Sequence, residues 1–211
     1  MVNLFTLPVQ EGKTPLNIAH GHFATNHSHI NYYIDITPQK MRLSDAEEAA
    51  KQLVGNFINN TPVDTIICLD GTEVLGTCVA KALTESGFTT INSHNSSYIV
   101  TPEFNANSQI IFRDNTVPMI KGKHVLILAA SVTTGYTAQA AVEAINYYSG
   151  LPVGICAIFA TTNTCAGQTV RAAFDLNDLS DYQSAPSHEC PLCKQGVKLD
   201  ALINGFGYSK L

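Results

Sequence analysis

The stretch richest in chemistry is Leu128-Ala129-Ala130-Ser131-Val132-Thr133-Thr134-Gly135-Tyr136-Thr137-Ala138. It joins the end of an apolar run to the start of an amphipathic one. A helix opening there would offer unpaired backbone N–H groups and the positive end of its dipole. Thr133, Thr134 and Thr137 add hydroxyl donors, and Gly135 lets the backbone close around an anion, a composition that suits a phosphate monoester. The Gly-Lys-Thr or Gly-Lys-Ser of a P-loop is missing. A helix start simply capped by its own threonines is the plainer alternative. A second group, Cys190-Pro191-Leu192-Cys193 with His188 two residues upstream, has metal-ligand types at close spacing. A zinc site there needs a fourth ligand, from Cys165 or from an N-terminal histidine. The competing reading is a reduced pair in a tight, proline-containing turn. His20, His22, His27 and His29 cluster in sequence, but no carboxylate joins them at ligand spacing before Asp35.

These groups need elements to position them. Ser44-Asp45-Ala46-Glu47 has the spacing of a capping box, and Ala46, Ala49, Ala50, Leu53, Val54, Phe57 and Ile58 follow at helical period until Asn59-Asn60-Thr61-Pro62. Residues 63–69 read as a buried strand and Asp70-Gly71-Thr72 as a tight turn. A second helix follows, carried by Val74, Leu75, Cys78, Val79, Ala82 and Leu83 and ending near Gly87. Residues 124–128 predict another buried strand, 137–148 a helix, and 153–159 a third strand. Apolar strands alternating with amphipathic helices imply an α/β fold, a mainly parallel sheet with helices on both faces. Residues 98–100 and 109–112 look like shorter strands, an antiparallel addition. The first forty residues and the tail after Asp175 read as irregular.

Whole-chain properties narrow the function. With 211 residues, 45% hydrophobic and 14% charged, the chain is expected to bury one substantial core. A net charge of −5 without any run of Lys or Arg argues against a nucleic-acid partner. Residues 1–10 lack the features of a secretory signal, and no apolar stretch nears the roughly 20 residues needed to span a bilayer. The expectation is a cytoplasmic protein with no membrane partner, whose six cysteines are mostly reduced. Cys68, Cys78 and Cys156 sit in apolar runs and read as small core residues.

The Thr/Gly segment resembles the phosphoribosyl-pyrophosphate motif of type I phosphoribosyltransferases: four apolar residues, two acidic, two apolar, then Thr-Thr-Gly-x-Thr. Other pieces fall in the order of the orotate branch. His29-Ile30-Asn31-Tyr32-Tyr33-Ile34-Asp35 looks like the segment that forms a hood over the base, and Leu69-Asp70-Gly71-Thr72-Glu73 like the pyrophosphate loop. Ile111-Phe112-Arg113 resembles the strand entering the flexible loop, and Glu189-Cys190-Pro191-Leu192-Cys193-Lys194 is similar to a C-terminal segment of some orotate enzymes. The resemblance implies a small N-terminal hood (1–43), a phosphoribosyltransferase-like core (44–175) and a C-terminal extension (176–211). It also implies a homodimer, a phosphorylated ribose or nucleotide as ligand and Mg²⁺ if the protein turns over. By this resemblance Thr133, Thr134, Gly135, Tyr136 and Thr137 bind phosphate. Asp70, Gly71, Thr72 and Glu73 face pyrophosphate, while His29, Tyr32 and Tyr33 face the base, where the tyrosines could stack or simply belong to a half-buried strand.

Two departures stand out. Ala129 and Ala130 occupy the ribose-facing positions where the family carries an acidic pair, and each lost hydrogen bond to a charged group costs about 1.5–3 kcal/mol. The stretch after Arg113 is short, with Lys121 as its one late lysine. Glu73 and Arg113 are the remaining candidates for catalytic groups. Glu73 could hold Mg²⁺, take the ribose hydroxyls, or merely open a helix. The sequence thus leaves open an active phosphoribosyltransferase or a non-catalytic sensor of a nucleotide or phosphoribosyl ligand.

Overall fold

Residues 124–130 are apolar apart from His124, and a strand without polar interruption must be covered on both faces. In the computed structural model, which describes residues 3–7, 14–55, 61–85, 91–92, 96–107 and 109–211, that strand lies at the centre of a parallel sheet. The elements in chain order are β1 (Phe5–Thr6), β2 (Asn17–Ala24), β3 (His29–Asp35), α1 (Thr37–Met41), α2 (Leu43–Val54), β4 (Thr65–Cys68) and α3 (Glu73–Glu85). Next come β5 (Tyr98–Val100), β6 (Glu103–Phe104), β7 (Ile110–Ile111), β8 (His124–Val132), α4 (Tyr136–Tyr147) and β9 (Leu151–Ala160). Last are β10 (Thr164–Cys165), β11 (Gln168–Phe174), β12 (Ser184–Ala185), α5 (Pro191–Lys194), β13 (Ala201–Asn204) and β14 (Gly207–Lys210).

The main sheet runs β10-β11-β9-β8-β4-β5. The five strands from β11 to β5 are parallel, and only β10 turns back. Period-two alternation divides the core. Leu126 and Leu128 join Ile66, Cys68 and the apolar sides of α2 and α3, while Val125 and Ile127 join Ile67 and the apolar side of α4. The α/β architecture expected from sequence is therefore the one present. Burial pushes the Cys68 and Cys156 thiols up to about 12, which keeps them protonated as inert core groups.

The boundaries differ in instructive ways. Ser44 caps nothing: α2 begins two residues earlier than that cap would set it, with Arg42 at its N-cap, Asp45 sits 3.7 Å from the Arg42 guanidinium, and Glu47 reaches Lys81 of α3 at 3.6 Å instead of bending back. The cause is α1, which the sequence reading did not anticipate and which hands the chain directly to α2 through a single extended residue. Phe57, Ile58, the stop at Asn59-Asn60 and the helix end near Gly87 lie outside the described residues. β5 pairs in parallel with β4, whereas β6 and β7 form a separate antiparallel ribbon.

The larger correction concerns the two chain segments read as irregular. Together they build a second sheet, β12-β3-β2-β13-β14 with β1 alongside β2. The β2–β3 hairpin is antiparallel, and residues 201–202 add to it in parallel, next to Phe23 and Ala24. Sequence periodicity failed here because β2 carries a bulge: His20 pairs with Tyr32 and Phe23 with Ile30, leaving one extra residue between them. Gly21 is at that bulge, where a Cβ would fall 2.7 Å from an Asp200 carboxylate oxygen.

Gly76 marks how tightly α3 lies on β4, since a Cβ there would collide with the Cys68 sulfur and touch Leu128 and Ile99. Alanine in a helix interior gains about 1 kcal/mol over glycine, but overpacking costs about 1–3 kcal/mol. We expect Gly76→Ala to be at least about 1 kcal/mol more favourable in a Cys68→Ala background than alone. Urea unfolding of the four proteins of this cycle measures that coupling; additive effects would contradict the close approach.

Candidate functional site

Where β8 ends, the chain turns into α4 through Thr133, Thr134 and Gly135. Gly135 takes the left-handed φ of 78° that a side chain resists, and it serves as the helix N-cap with no side-chain hydrogen bond. The threonines therefore do not cap α4, and its first-turn N–H groups face a cleft. The loop is braced from behind. Thr161 donates its N–H to the Val132 carbonyl at 3.0 Å and its hydroxyl to the Thr133 carbonyl at 2.9 Å. A Cβ on Gly135 would fall 3.0 Å from the Cys165 sulfur. The result is a fixed concavity of N–H and O–H donors at the carboxyl edge of the sheet, where open α/β folds place ligands.

The cleft's opposite wall holds its charges. Asp70, two residues past β4, adopts a positive φ of 57°, and its carboxylate lies beside the Ala130 N–H. Burial raises its pKa, with the nearby Lys40 ammonium working against that shift. Lys40, carried by α1 and only 3% exposed, donates to the Asp70 carbonyl at 2.9 Å and to the Gly205 carbonyl. Burial holds its pKa below the usual lysine value. Lys40 is a cleft residue that sequence inspection missed, because a lone lysine beside Met41-Arg42 reads as a surface charge. Ala130 lines the cleft beside Asp70, but Ala129 points the other way, into the core under α4.

Tyr32 and Tyr33 both line the cleft, as do Tyr182 and Phe159. Tyr32 donates to Asp181 at 2.6 Å, which pushes its pKa up to about 12, and Tyr33 is raised by burial beside Asp35. His29, expected to face a base, lies elsewhere: its Nδ1 is 3.2 Å from the Cys193 sulfur. Two residues earlier, His27 takes the cleft position and packs on Tyr136 with ring centroids 5.2 Å apart. The hairpin turn 25–28 sets this: Thr25 closes it through Ser28, and exposed His27 sits at the turn beside the cleft.

The two catalytic candidates are engaged outside the cleft lining. Glu73 accepts the Thr101 hydroxyl at 3.1 Å, and Arg113 forks onto Glu103 at 3.0 and 3.1 Å on the surface. Of residues 70–73 only Asp70 lines the cleft; Gly71 completes the turn at φ 75°, and Thr72 is buried with its hydroxyl on the Leu69 and Leu128 carbonyls. His188 is exposed and pairs with Glu189 at 3.3 Å, away from the cysteines it was grouped with. Cys190 and Cys193 instead meet His22 and His29. No helix among the described residues is long and apolar enough to cross a membrane.

No family model and no curated protein matches the chain. Solved structures do. An orotate phosphoribosyltransferase of Mycobacterium tuberculosis H37Rv in complex with Fe(III) dicitrate shares 17% identity over 77% of this chain and 91% of its own, with a TM-score of 0.51. A phosphoribosyltransferase from Corynebacterium diphtheriae shares 19% over 77% and 90%, with a TM-score of 0.51. The adenine phosphoribosyl transferase of Trypanosoma brucei, in complex with AMP, pyrophosphate and ribose-5-phosphate, shares 15% over 72% and 73%, with a TM-score of 0.50. The chain has the type I phosphoribosyltransferase fold.

The uncapped α4 start generates a direct test. Gly135→Asp places a carboxylate where the anion would sit, and like charges a few ångströms apart repel by about 3–4 kcal/mol at an effective dielectric near 20. Calorimetric titration with inorganic phosphate should show affinity reduced about tenfold or more, with the far-ultraviolet circular dichroism preserved. Unchanged affinity would remove this loop from consideration as an anion site.

Proposed function

We propose that this is an orotate phosphoribosyltransferase-like protein that holds a 5-phosphoribosyl ligand in the cleft and transfers phosphoribose slowly or not at all. The observation that carries the binding half is the donor-lined, uncapped start of α4. The phosphate goes to Thr133, Thr134, Gly135, Tyr136 and Thr137, and the planar base to the wall formed by Tyr32, Tyr33 and His27. The second half rests on the reaction end. Only interactions stronger in the transition state than in the ground state raise the chemical rate, and of the two motif positions where a carboxylate would make them, Ala130 faces the cleft without one and Ala129 faces the core. A nucleotide or phosphoribosyl sensor answers that combination best.

One observation favours an active transferase. Asp70 brings a carboxylate to the cleft directly beside Ala130, and Lys40 brings a cation next to it. Asp70 could accept ribose hydroxyls or hold a Mg²⁺–pyrophosphate group, with Lys40 balancing its charge. The homodimer and cytoplasmic setting of the orotate branch go with either reading.

Steady-state assays with phosphoribosyl pyrophosphate, orotate and other bases across Mg²⁺ concentrations separate the two. We expect turnover far below the ordinary range of about 1–10³ s⁻¹, together with measurable binding of a nucleoside monophosphate. Ala130→Asp should improve binding of the pyrophosphate donor. Ala129→Asp should only destabilise, because it buries a carboxylate among apolar side chains. Turnover within the ordinary range would establish the transferase reading, and Asp70→Asn would then be expected to abolish it.

A further inference from the structure

Four side chains outside the cleft lining converge where the β2–β3 hairpin meets residues 190–193. His22 Nε2 lies 3.1 Å from His29 Nδ1, 3.5 Å from the Cys190 sulfur and 3.6 Å from the Cys193 sulfur. His29 Nδ1 lies 3.2 Å from the Cys193 sulfur, and the four ligand atoms all fall within 4.8 Å of one another. Zinc–nitrogen bonds of about 2.0–2.1 Å and zinc–sulfur bonds of about 2.3 Å define a tetrahedron. Its edges are about 3.3 Å between nitrogens, 3.6 Å from nitrogen to sulfur and 3.8 Å between sulfurs. The four distances measured lie within about 0.4 Å of those edges, and the two remaining pairs are within 4.8 Å.

The protonation pattern points the same way. His22 Nδ1 is 2.9 Å from the Val197 carbonyl. A carbonyl only accepts, so Nδ1 carries a proton, and in the neutral ring Nε2 then presents a lone pair. That single lone pair faces two sulfurs and another ring nitrogen at once, in a side chain 1% exposed. One hydrogen bond uses the lone pair once, whereas a cation at the centroid uses all four groups together. The Nδ1–H···O=C contact is also the outer-shell bond that fixes the tautomer of metal-bound histidines. We propose that His22, His29, Cys190 and Cys193 bind one structural Zn²⁺, in a closed two-histidine, two-thiolate site. Two imidazoles and two sulfurs suit zinc over the oxygen-seeking Mg²⁺ or Ca²⁺. With four protein ligands, no coordination position remains for catalysis.

The backbone is shaped to deliver these ligands. The β2 bulge puts the extra residue next to His22 and re-aims its side chain. Residues 190–197 fold as one tight turn, in which Lys194 and Gly196 donate to the carbonyls of Cys190 and Cys193, and Gly196 closes it at φ 73°. Cys193 is exposed, which gives the metal a way in. The site would staple the β2–β3 hairpin to the segment leading into β13.

Elemental analysis of protein purified without chelator should find about one zinc per chain. Cys193→Ser and His29→Ala should each lose most of it, while His188→Ala retains it. Reconstitution of the metal-free wild type with Co²⁺ should give the intense visible absorption of a tetrahedral site with thiolate ligands, a readout that does not depend on any variant folding. The proposal is overturned by wild-type protein with well under one zinc and freely titrating thiols, by a Cys190–Cys193 disulfide in the purified protein, or by a different metal at full occupancy. None of these outcomes depends on what the cleft binds.

Discussion

One ammonium ties the two sheets of this protein together at the cleft. Lys40 donates to the carbonyl of Asp70, in the loop after β4, and to that of Gly205, in the turn between β13 and β14. Movement of either loop alone would strip one hydrogen bond from a buried cation, a loss of about 1.5–3 kcal/mol. The surroundings confirm the close approach: any Cβ on Gly205 would overlap the Asp70 side chain. The spacing between the sheet edge and its roof is thereby set before any ligand arrives. Burial drives Lys40 and Asp70 each toward its neutral form, so a polyanion entering here would help to keep Lys40 charged.

The cleft combines a built phosphate end with a rearranged reaction end. Among its lining residues, Asp70 is the one carboxylate and Lys40 the one ammonium. Glu73 and Arg113, free by sequence, are spent on Thr101 and Glu103. Pre-organised donors at α4 cost nothing at the moment of binding, and this favours holding a ligand whether or not chemistry follows. The two alanines also differ from each other, since successive strand residues face opposite sides. Position 130 meets the cleft and position 129 the core, so only one of them could ever touch a ribose in this geometry.

The core was legible because its signals are local. β4, β8 and β9 are short apolar runs, α3 and α4 carry helical period, and the Thr/Gly loop sits between one of each. The second sheet was not, because its pairing is non-local: β2 lies between β3 and a strand almost 180 residues on, and its bulge erases the period of two. The same cause hid the side-chain partners. Cys190 and Cys193 announce themselves as a pair, yet the residues they meet are 164–171 positions away, and the nearer His188 turned outward to Glu189. Likewise His27 and His29 are indistinguishable by type, and only the hairpin turn decides which faces the cleft.

That non-local sheet also bears on how the protein is made. Phe23 pairs with Ala201, so β2, once synthesised, waits for almost 180 further residues before this neighbour exists. At translation speeds of about 5–20 residues per second, that is an interval on the order of ten seconds or more. Within it β4, α3, β8 and α4 can already assemble, because each contacts its sequence neighbours, whereas the β2–β3 hairpin presents an open edge. Loop closure over such a span is entropically late in any folding order. Until β13 is made, the chain carries an unpaired strand edge that a nascent neighbour or a chaperone could meet first.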